Sequence, residues 1–168
     1  MEEDVLRNEY DFGFVGGHLA GGDVKVIAWR TDELILITAP DHALARRRQI
    51  NPKDLAKESF IFREGGSATQ AVVESGLREA RLQLEAVVEL GNPEATKQAV
   101  RSGLGIAFIS KFAAEAELSA KTLVELKVKN LTFTRELKIV HPKDKHLSRA
   151  AVELIELAKQ HPPVNRHN

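Results

Sequence analysis

Short apolar runs alternate along this chain with stretches whose apolar residues recur at helical spacing. Such alternation predicts an α/β fold with a largely parallel or mixed sheet. The apolar runs predict strands at residues 11–15, 24–29, 33–38, 59–63, 84–89, 105–109, 123–126 and 133–141. With 43% hydrophobic residues among 168, the chain has enough apolar side chains for one or two small cores.

The helices between these strands have recognisable starts. Asn51-Pro52 and Asn92-Pro93 each combine a favourable N-cap residue with proline at the first helical position, and Ser110 is a further N-cap candidate. A one-sided apolar stripe predicts that the last helix packs on a sheet, and Pro162-Pro163 predicts its end. The stripe consists of Leu147, Ala150, Ala151, Leu154, Ile155 and Ala158.

Charge and composition narrow the function classes. Lys and Arg number 24 and Asp and Glu number 24, so the chain lacks the net positive field with which a stand-alone protein binds DNA. The absence of cysteine excludes disulfides, thiolate metal sites and cysteine nucleophiles. The first residues, Met1 to Asp4, are acidic where a secretory signal would be basic, and no apolar run approaches the roughly 20 residues that span a bilayer. We therefore expect a cytoplasmic protein with no membrane partner.

The strongest candidate site lies where the fourth predicted strand passes into a helix. Gly65 and Gly66 allow the backbone to approach a ligand closely, and the hydroxyls of Ser67 and Thr69 flank the N–H groups of the helix start. A carboxylate, sulfate or phosphate group would be stabilised there. The alternative is a capping box, in which Ser67 and Gln70 satisfy only the amides of their own helix.

Other motifs carry weaker signals. Gly16-Gly17-His18 ends the first predicted strand, where open α/β sheets place ligands, although a plain strand-to-loop turn explains it equally well. The six histidines lack the spacing of a metal-binding helix, and no serine can be tied to a histidine and a carboxylate as a triad. Gly103 joins a helix to a strand, as a glycine C-cap does. We therefore expect no enzyme activity, no cofactor and no metal.

Several segments, taken together and in order, resemble the effector-binding domain of LysR-type transcriptional regulators. They are DFGFVGG at 11–17, DELILI followed by PDHALA at 32–45, FIFREGGS at 60–67, VRSGLGIAFI at 100–109, and the Leu147-Ser148 start of the final helix. The resemblance covers nearly the whole chain. The variant REGGSAT at 63–69 is most similar to regulators of carbon fixation and sulfur metabolism.

The resemblance implies a two-lobed α/β fold, similar to a type 2 periplasmic binding protein, that the chain crosses twice and that holds a small effector between its lobes. It places lobe I at residues 1–40 and 134–168 and lobe II at residues 41–133. The effector-binding positions of the family fall on two glycine-containing segments. These are Gly16 and Gly17 at a strand end, and Gly65, Gly66, Ser67, Ala68 and Thr69 at the helix start.

The resemblance also implies parts that this chain lacks. These are a helix-turn-helix with its linker, and the first strands of lobe I with part of the effector pocket. We therefore expect an incomplete first lobe, a small anionic effector, and DNA contact only through the missing helix-turn-helix. We also expect a homodimer or larger assembly that buries residues 11–15 or the helix at 147–158. Two alternatives remain open: a solute-binding protein for transport, and an enzyme on the same two-lobed scaffold.

Overall fold

The computed structural model describes residue 5 and residues 9–17 and 22–160. The strands in these ranges are β1 (Gly13–Gly16), β2 (Val24–Thr38), β3 (Phe60–Arg63), β4 (Ala86–Leu90), β5 (Ile106–Ser110), β6 (Val124–Leu126) and β7 (Phe133–Pro142). The α-helices there are α1 (Ala68–Glu79), α2 (Pro93–Arg101), α3 (Lys111–Ser119) and α4 (Arg149–Gln160), and short 3-10 helices cover Ala43–Arg46 and Pro52–Lys57. This alternation confirms the predicted α/β class. His18, Pro162-Pro163 and the acidic start at residues 1–4 lie outside the described residues.

The chain divides into two compact units. Unit 1 comprises residues 1–31 and 135–168, and unit 2 comprises residues 32–134. Both divisions fall inside long strands, the first within β2 and the second within β7. The family resemblance placed the first division after residue 40 and the second after residue 133, and its assignment of lobes stays a prediction.

β2 runs without a break through Arg30, Thr31 and Asp32, where the hydrophobic pattern predicts a gap between two strands, so that prediction is wrong. Successive polar residues are typical of loops. Asp32, however, is completely buried, and its Oδ1 accepts a 2.8 Å hydrogen bond from the hydroxyl of Ser110. Because a residue far along the chain satisfies the carboxylate, the backbone has no need to turn out to solvent here.

Unit 2 is built on a mixed sheet in the order β6-β2-β5-β3-β4, a strand order in which non-sequential neighbours indicate crossovers. β3 is parallel to β4 and β5, whereas β2 is antiparallel to β5 and β6. Helix α1 packs on the face that carries Leu34 and Leu36, and α2 and α3 pack on the face that carries Ile35 and Ile37. Both faces of the sheet are therefore covered, which explains why these strands read as continuous apolar runs.

Only one of the three predicted N-caps acts as expected. Asn92 Oδ1 accepts a 2.8 Å hydrogen bond from the first turn of α2. Asn51 precedes a 3-10 helix and makes no side-chain cap bond, and the hydroxyl of Ser110 donates to Asp32 instead of accepting from α3. At the far end of α2, the N–H of Gly103 donates to a carbonyl of the last turn, which confirms the predicted glycine C-cap.

Unit 1 carries the strand order β1-β7-β2, with β1 antiparallel to β7. Trp29 donates from Nε1 to a carbonyl near the end of α4 at 2.7 Å, and Ser148 caps the start of that helix. The helix thus packs on the sheet as predicted. Its apolar stripe is only partly covered, because Ala151 and Ile155 are buried but Leu154 is 49% exposed.

Among the helices of the described residues, none is long and apolar enough to cross a membrane.

Candidate functional site

The predicted effector loop follows the carboxyl end of β3, where the chain enters α1. Gly65 and Gly66 are exposed, and Gly66 has a φ of +86°, a left-handed conformation that favours glycine. Ser67 is the N-cap residue of α1, and Ala68 and Thr69 form its first turn. The β4–α2 loop follows the carboxyl end of the neighbouring parallel strand, so both loops lie on the edge where open α/β sheets place ligands.

Ser67 does not cap its own helix through its side chain. The side chain makes no capping hydrogen bond, and the backbone N–H donates to the carbonyl of Glu64 at 3.2 Å. Gln70, the other half of the expected capping box, is engaged elsewhere: its Oε1 accepts from the N–H of Arg63 at 3.2 Å. The capping-box interpretation is therefore wrong. The helix does not use the Ser67 hydroxyl as a cap, which leaves this hydroxyl able to meet a ligand.

Burial differs among the hydroxyl residues of the loop. Thr69 is only 7% exposed, whereas Ser67 and Ala68 are half-buried. A ligand at this loop would therefore meet Ser67 and the two glycines first. It would reach the Thr69 side chain only through the small part that is exposed.

Gly16 is the last residue of β1 in unit 1, and Gly17 follows it. A Cβ atom at position 16 would lie 3.1 Å from Cδ2 of Leu137 and 3.3 Å from Nη1 of Arg135, so a side chain there would crowd β7. Gly17 has a φ of +92°, which an L-residue rarely adopts. Backbone geometry thus explains glycine at both positions, and their contact with an effector stays a prediction.

Hydrogen bonds hold the base of the effector loop against the β4–α2 loop. The guanidinium of Arg63 donates from Nε to the carbonyl of Leu90 at 3.2 Å and from Nη2 to the carbonyl of Gly91 at 2.8 Å. The N–H of Glu64 donates to the same Leu90 carbonyl at 3.3 Å. These three hydrogen bonds join the two loops at the points where they leave β3 and β4.

Charge at the loop is partly balanced within the protein. Arg63 Nη2 lies 3.8 Å from Glu64 Oε1, and the Arg63 side chain is far less exposed than that of Glu64. An anionic ligand at the loop would therefore depend on N–H groups and hydroxyls more than on the charge of Arg63. Within the described ranges, no cluster of three or more His, Asp or Glu side chains could hold a metal ion.

Sequence reasoning missed Arg63 and Gln70 as supports of the loop. The sequence pattern predicts Arg63 only as the end of a strand, and Gln70 only as part of a capping box. One signal was available, because Gln70, Val73 and Leu77 follow at i, i+3 and i+7 and share the buried face of α1. A buried glutamine on an apolar face must find hydrogen-bond partners, and these partners are what the tertiary structure reveals.

Comparison with known proteins agrees with this architecture. Residues 1–163 match the family described as the LysR substrate binding domain. The chain is 38% identical over 146 residues to the uncharacterized HTH-type transcriptional regulator YeiE of Escherichia coli K12, a match that covers 87% of this chain and 50% of that protein. It is 36% identical over 164 residues to the HTH-type transcriptional regulator CbbR of Xanthobacter flavus, covering 94% of this chain and 49% of that protein.

A solved structure is also similar over most of the chain. The regulatory domain of CcmR from Synechocystis PCC6803, in complex with 2-PG, superposes with a TM-score of 0.84 at 26% sequence identity, over 94% of this chain and 76% of that chain. Fold and loop geometry thus define a ligand-binding domain of the type 2 periplasmic-binding-protein-like class, as predicted.

The chain belongs to the LysR substrate-binding domain family, which confirms the resemblance found in the sequence. Its relatives are transcriptional regulators and not enzymes, and neither the transport nor the enzyme alternative is favoured. The chain spans about half the length of the curated relatives it matches.

Proposed function

We propose that this chain is the effector-sensing module of a LysR-type transcriptional regulator and that it binds a small anionic metabolite at the start of α1. The proposed contacts are Gly16, Gly17, Gly65, Gly66, Ser67, Ala68 and Thr69. The protein senses its ligand here and performs no chemistry on it, a role supported by its relatives, which are transcriptional regulators.

The observation that carries the proposal is the open start of α1. In most helices a side chain at the N-cap accepts from the first-turn N–H groups, but the Ser67 side chain makes no such bond. These N–H groups carry the positive end of the helix dipole, and the exposed Gly65-Gly66 backbone leaves room for close approach. An anion would be stabilised by this dipole and could accept a hydrogen bond from the Ser67 hydroxyl.

The relatives support the ligand class. The CcmR regulatory domain was solved with 2-PG, which supports an anionic effector for a chain that superposes on it over 94% of its length. The sequence identity to CbbR of Xanthobacter flavus, a transcriptional regulator, supports the regulatory role. We accordingly propose that DNA is contacted only through a helix-turn-helix part of the whole regulator, that the regulator acts as a homodimer or larger assembly, and that it works in the cytoplasm.

Calorimetric titration of 2-PG into the chain tests the proposal. Ser67→Ala should weaken binding about tenfold, the factor expected for one lost hydrogen bond to a charged group. The same substitution should leave the free energy of unfolding nearly unchanged, because the hydroxyl makes no capping bond. Asn92→Ala should instead cost about 1 kcal/mol of stability, because Asn92 does cap its helix.

Ser119→Ala, at an exposed position of α3, is the matched serine control. In the intact regulator, Thr69→Val should weaken the effector response more than it lowers stability. Unchanged 2-PG affinity in Ser67→Ala, with the parent chain binding 2-PG, would place the ligand elsewhere and contradict the proposal.

A further inference from the structure

Two side chains outside the proposed ligand contacts hold the effector loop in shape. Gln70 and Arg63 bracket the loop, one in the first turn of α1 and the other at the end of β3. Gln70 Oε1 accepts a hydrogen bond from the backbone N–H of Arg63. This bond joins the two ends of the loop, and these joined ends form the neck of the loop. A loop closed at its neck has few conformations left, so its interior residues are preorganised.

The orientation of the Gln70 amide is determined by a second bond. Its Nε2 donates to Oε1 of Glu74 at 2.9 Å, and a carboxylate can only accept. The amide oxygen must therefore face the N–H of Arg63. Because Gln70 is 7% exposed, water cannot easily replace either partner.

Arg63 fixes the other side of the neck. Two of its guanidinium donors are occupied by the carbonyls of Leu90 and Gly91 in the neighbouring loop. The backbone N–H of Glu64 adds a third bond to the same neighbouring loop, to the carbonyl of Leu90 at 3.3 Å. The effector loop cannot shift relative to the β4–α2 loop without breaking these bonds.

We infer that Gln70 and Arg63 are positioning residues of the effector loop. They keep Gly65, Gly66 and Ser67 in the conformation that presents the first-turn N–H groups of α1 to an anion. Their effect on ligand affinity rests on the proposed function. Their effect on loop geometry does not, since it follows from contacts within unit 2 alone.

The test is Gln70→Leu in the full chain, with two readouts. Amide hydrogen exchange should show about tenfold lower protection at Arg63, Glu64 and Ser67, the factor expected for one lost hydrogen bond, with no change at Ile35 and Ile37 in the core of β2. In isothermal titration, affinity for 2-PG should fall about tenfold, although Gln70 is not a proposed contact.

The matched control is Gln98→Leu, at an exposed position of α2, which should change neither readout. The pair Gln70→Glu with Glu74→Gln is a rescue variant. In it the carboxylate at position 70 accepts from the N–H of Arg63, as the Gln70 oxygen does, and also accepts from the new amide at position 74. Both bonds are retained, and only the bond between positions 70 and 74 has its donor and acceptor exchanged. Protection and affinity should return to within about twofold of the parent chain.

Unchanged protection at the three loop amides in a folded Gln70→Leu chain would overturn the inference, and so would failure of the double variant to restore it. If Gln70→Leu lowers protection in β2 as well, Gln70→Asn replaces it, because a side chain shorter by one methylene cannot reach Arg63. A parent chain that does not bind 2-PG would count against the proposed function with that ligand, while the exchange data would still decide the role of Gln70.

Discussion

At the scale of single residues, Gly76 shows how tertiary packing overrides helix propensity. It lies within α1, where alanine would be favoured by roughly 1 kcal/mol over glycine in an isolated helix. A Cβ atom at this position would lie 2.2 Å from Cε1 of Phe133, whose ring also contacts Phe108 with a centroid separation of 5.1 Å. Glycine therefore allows α1 to approach this aromatic pair.

We expect Gly76→Ala to destabilise the protein by about 1–3 kcal/mol, against its helix propensity, because the added methyl overlaps the ring of Phe133. Chemical denaturation with the m-value monitored measures the change. Adding Phe133→Leu to Gly76→Ala should recover part of the loss, since the shorter side chain relieves the overlap. A Gly76→Ala chain as stable as the parent would mean that the ring moves aside at little cost.

At the scale of elements, a buried cation joins α2 to α3. Lys97 Nζ lies 2.6 Å from Glu94 Oε1, 2.7 Å from Glu117 Oε1 and 2.9 Å from the carbonyl of Ala113. Its side chain is 6% exposed, and that of Glu117 is 16% exposed. Burying a lysine is costly, and three acceptors in contact with it offset that cost.

We expect Lys97→Met to lower the free energy of unfolding by about 3 kcal/mol, because it leaves the Glu117 carboxylate buried without its cation. Lys129→Met, at an exposed lysine of the same unit, is the control and should change stability by less than about 0.5 kcal/mol. Thermal and denaturant unfolding measure both. The double variant Lys97→Met with Glu117→Met should be more stable than Lys97→Met alone; equal stability of the two would show that the pair is not coupled.

The same pair predicts a dependence of stability on pH. The hydrogen bond from Lys97 lowers the pKa of Glu117 below its ordinary value. Burial lowers the pKa of Lys97, but the hydrogen bonds to Glu117 and Glu94 outweigh it and the pKa is raised. A lowered carboxyl pKa stabilises the fold above the ordinary value of 4.5, and this stabilisation is lost as pH falls through the folded-state value.

The stability difference between the parent chain and Lys97→Met should therefore be large near neutral pH and shrink as the solution is acidified below about pH 4.5. The raised pKa of Lys97 adds a stabilisation that is fully present below the ordinary lysine pKa and is lost as pH rises through the folded-state value. Denaturant unfolding series at several pH values measure this difference. A stability difference between the two chains that stays constant from neutral pH to pH 3 would show that protonation of Glu117 is not linked to folding.

At the scale of the whole molecule, exposed apolar side chains concentrate in unit 1. Tyr10 is 55% exposed, Phe14 39%, Leu154 49% and Leu157 51%. Among the described strands, β1 pairs only with β7, so one edge of β1 has no strand partner there. Exposed apolar surface and an open strand edge both favour association with another chain.

We expect the chain to form a homodimer or larger assembly that buries residues 11–15 or α4. Light scattering across a concentration series measures it, and Leu154→Glu with Leu157→Glu should shift the assembly toward monomer because charges would enter the buried surface. Leu104→Glu, at a 50% exposed leucine of unit 2, is the matched control. A stable monomer at all concentrations, with slow amide exchange throughout residues 11–38, would contradict this expectation.

Net charge governs the expected behaviour toward DNA. With 24 basic and 24 acidic residues, the chain should show no salt-dependent, sequence-selective binding to duplex DNA. Fluorescence anisotropy with a labelled duplex at low and physiological salt measures this. A tight complex with one defined operator sequence would overturn the view that this chain senses a ligand and leaves DNA contact to another part of the regulator.

The sequence by itself determined the α/β class, most strand positions, the cap at Asn92 and the end of α2 at Gly103. These features depend on local patterns, since hydrophobic period, proline and glycine act within a few residues. The start of α1 after Gly65-Gly66 was predictable for the same reason.

Only the tertiary structure decided what the polar side chains do. Asp32 pairs with Ser110, which is 78 positions away, and this pairing keeps β2 continuous where local polarity predicted a gap. Gln70 pairs with the backbone of Arg63 instead of capping its helix, and this leaves the Ser67 side chain without a capping role. A hydrogen bond requires its partner within about 3 Å, and folding brings such partners together whatever their distance along the chain.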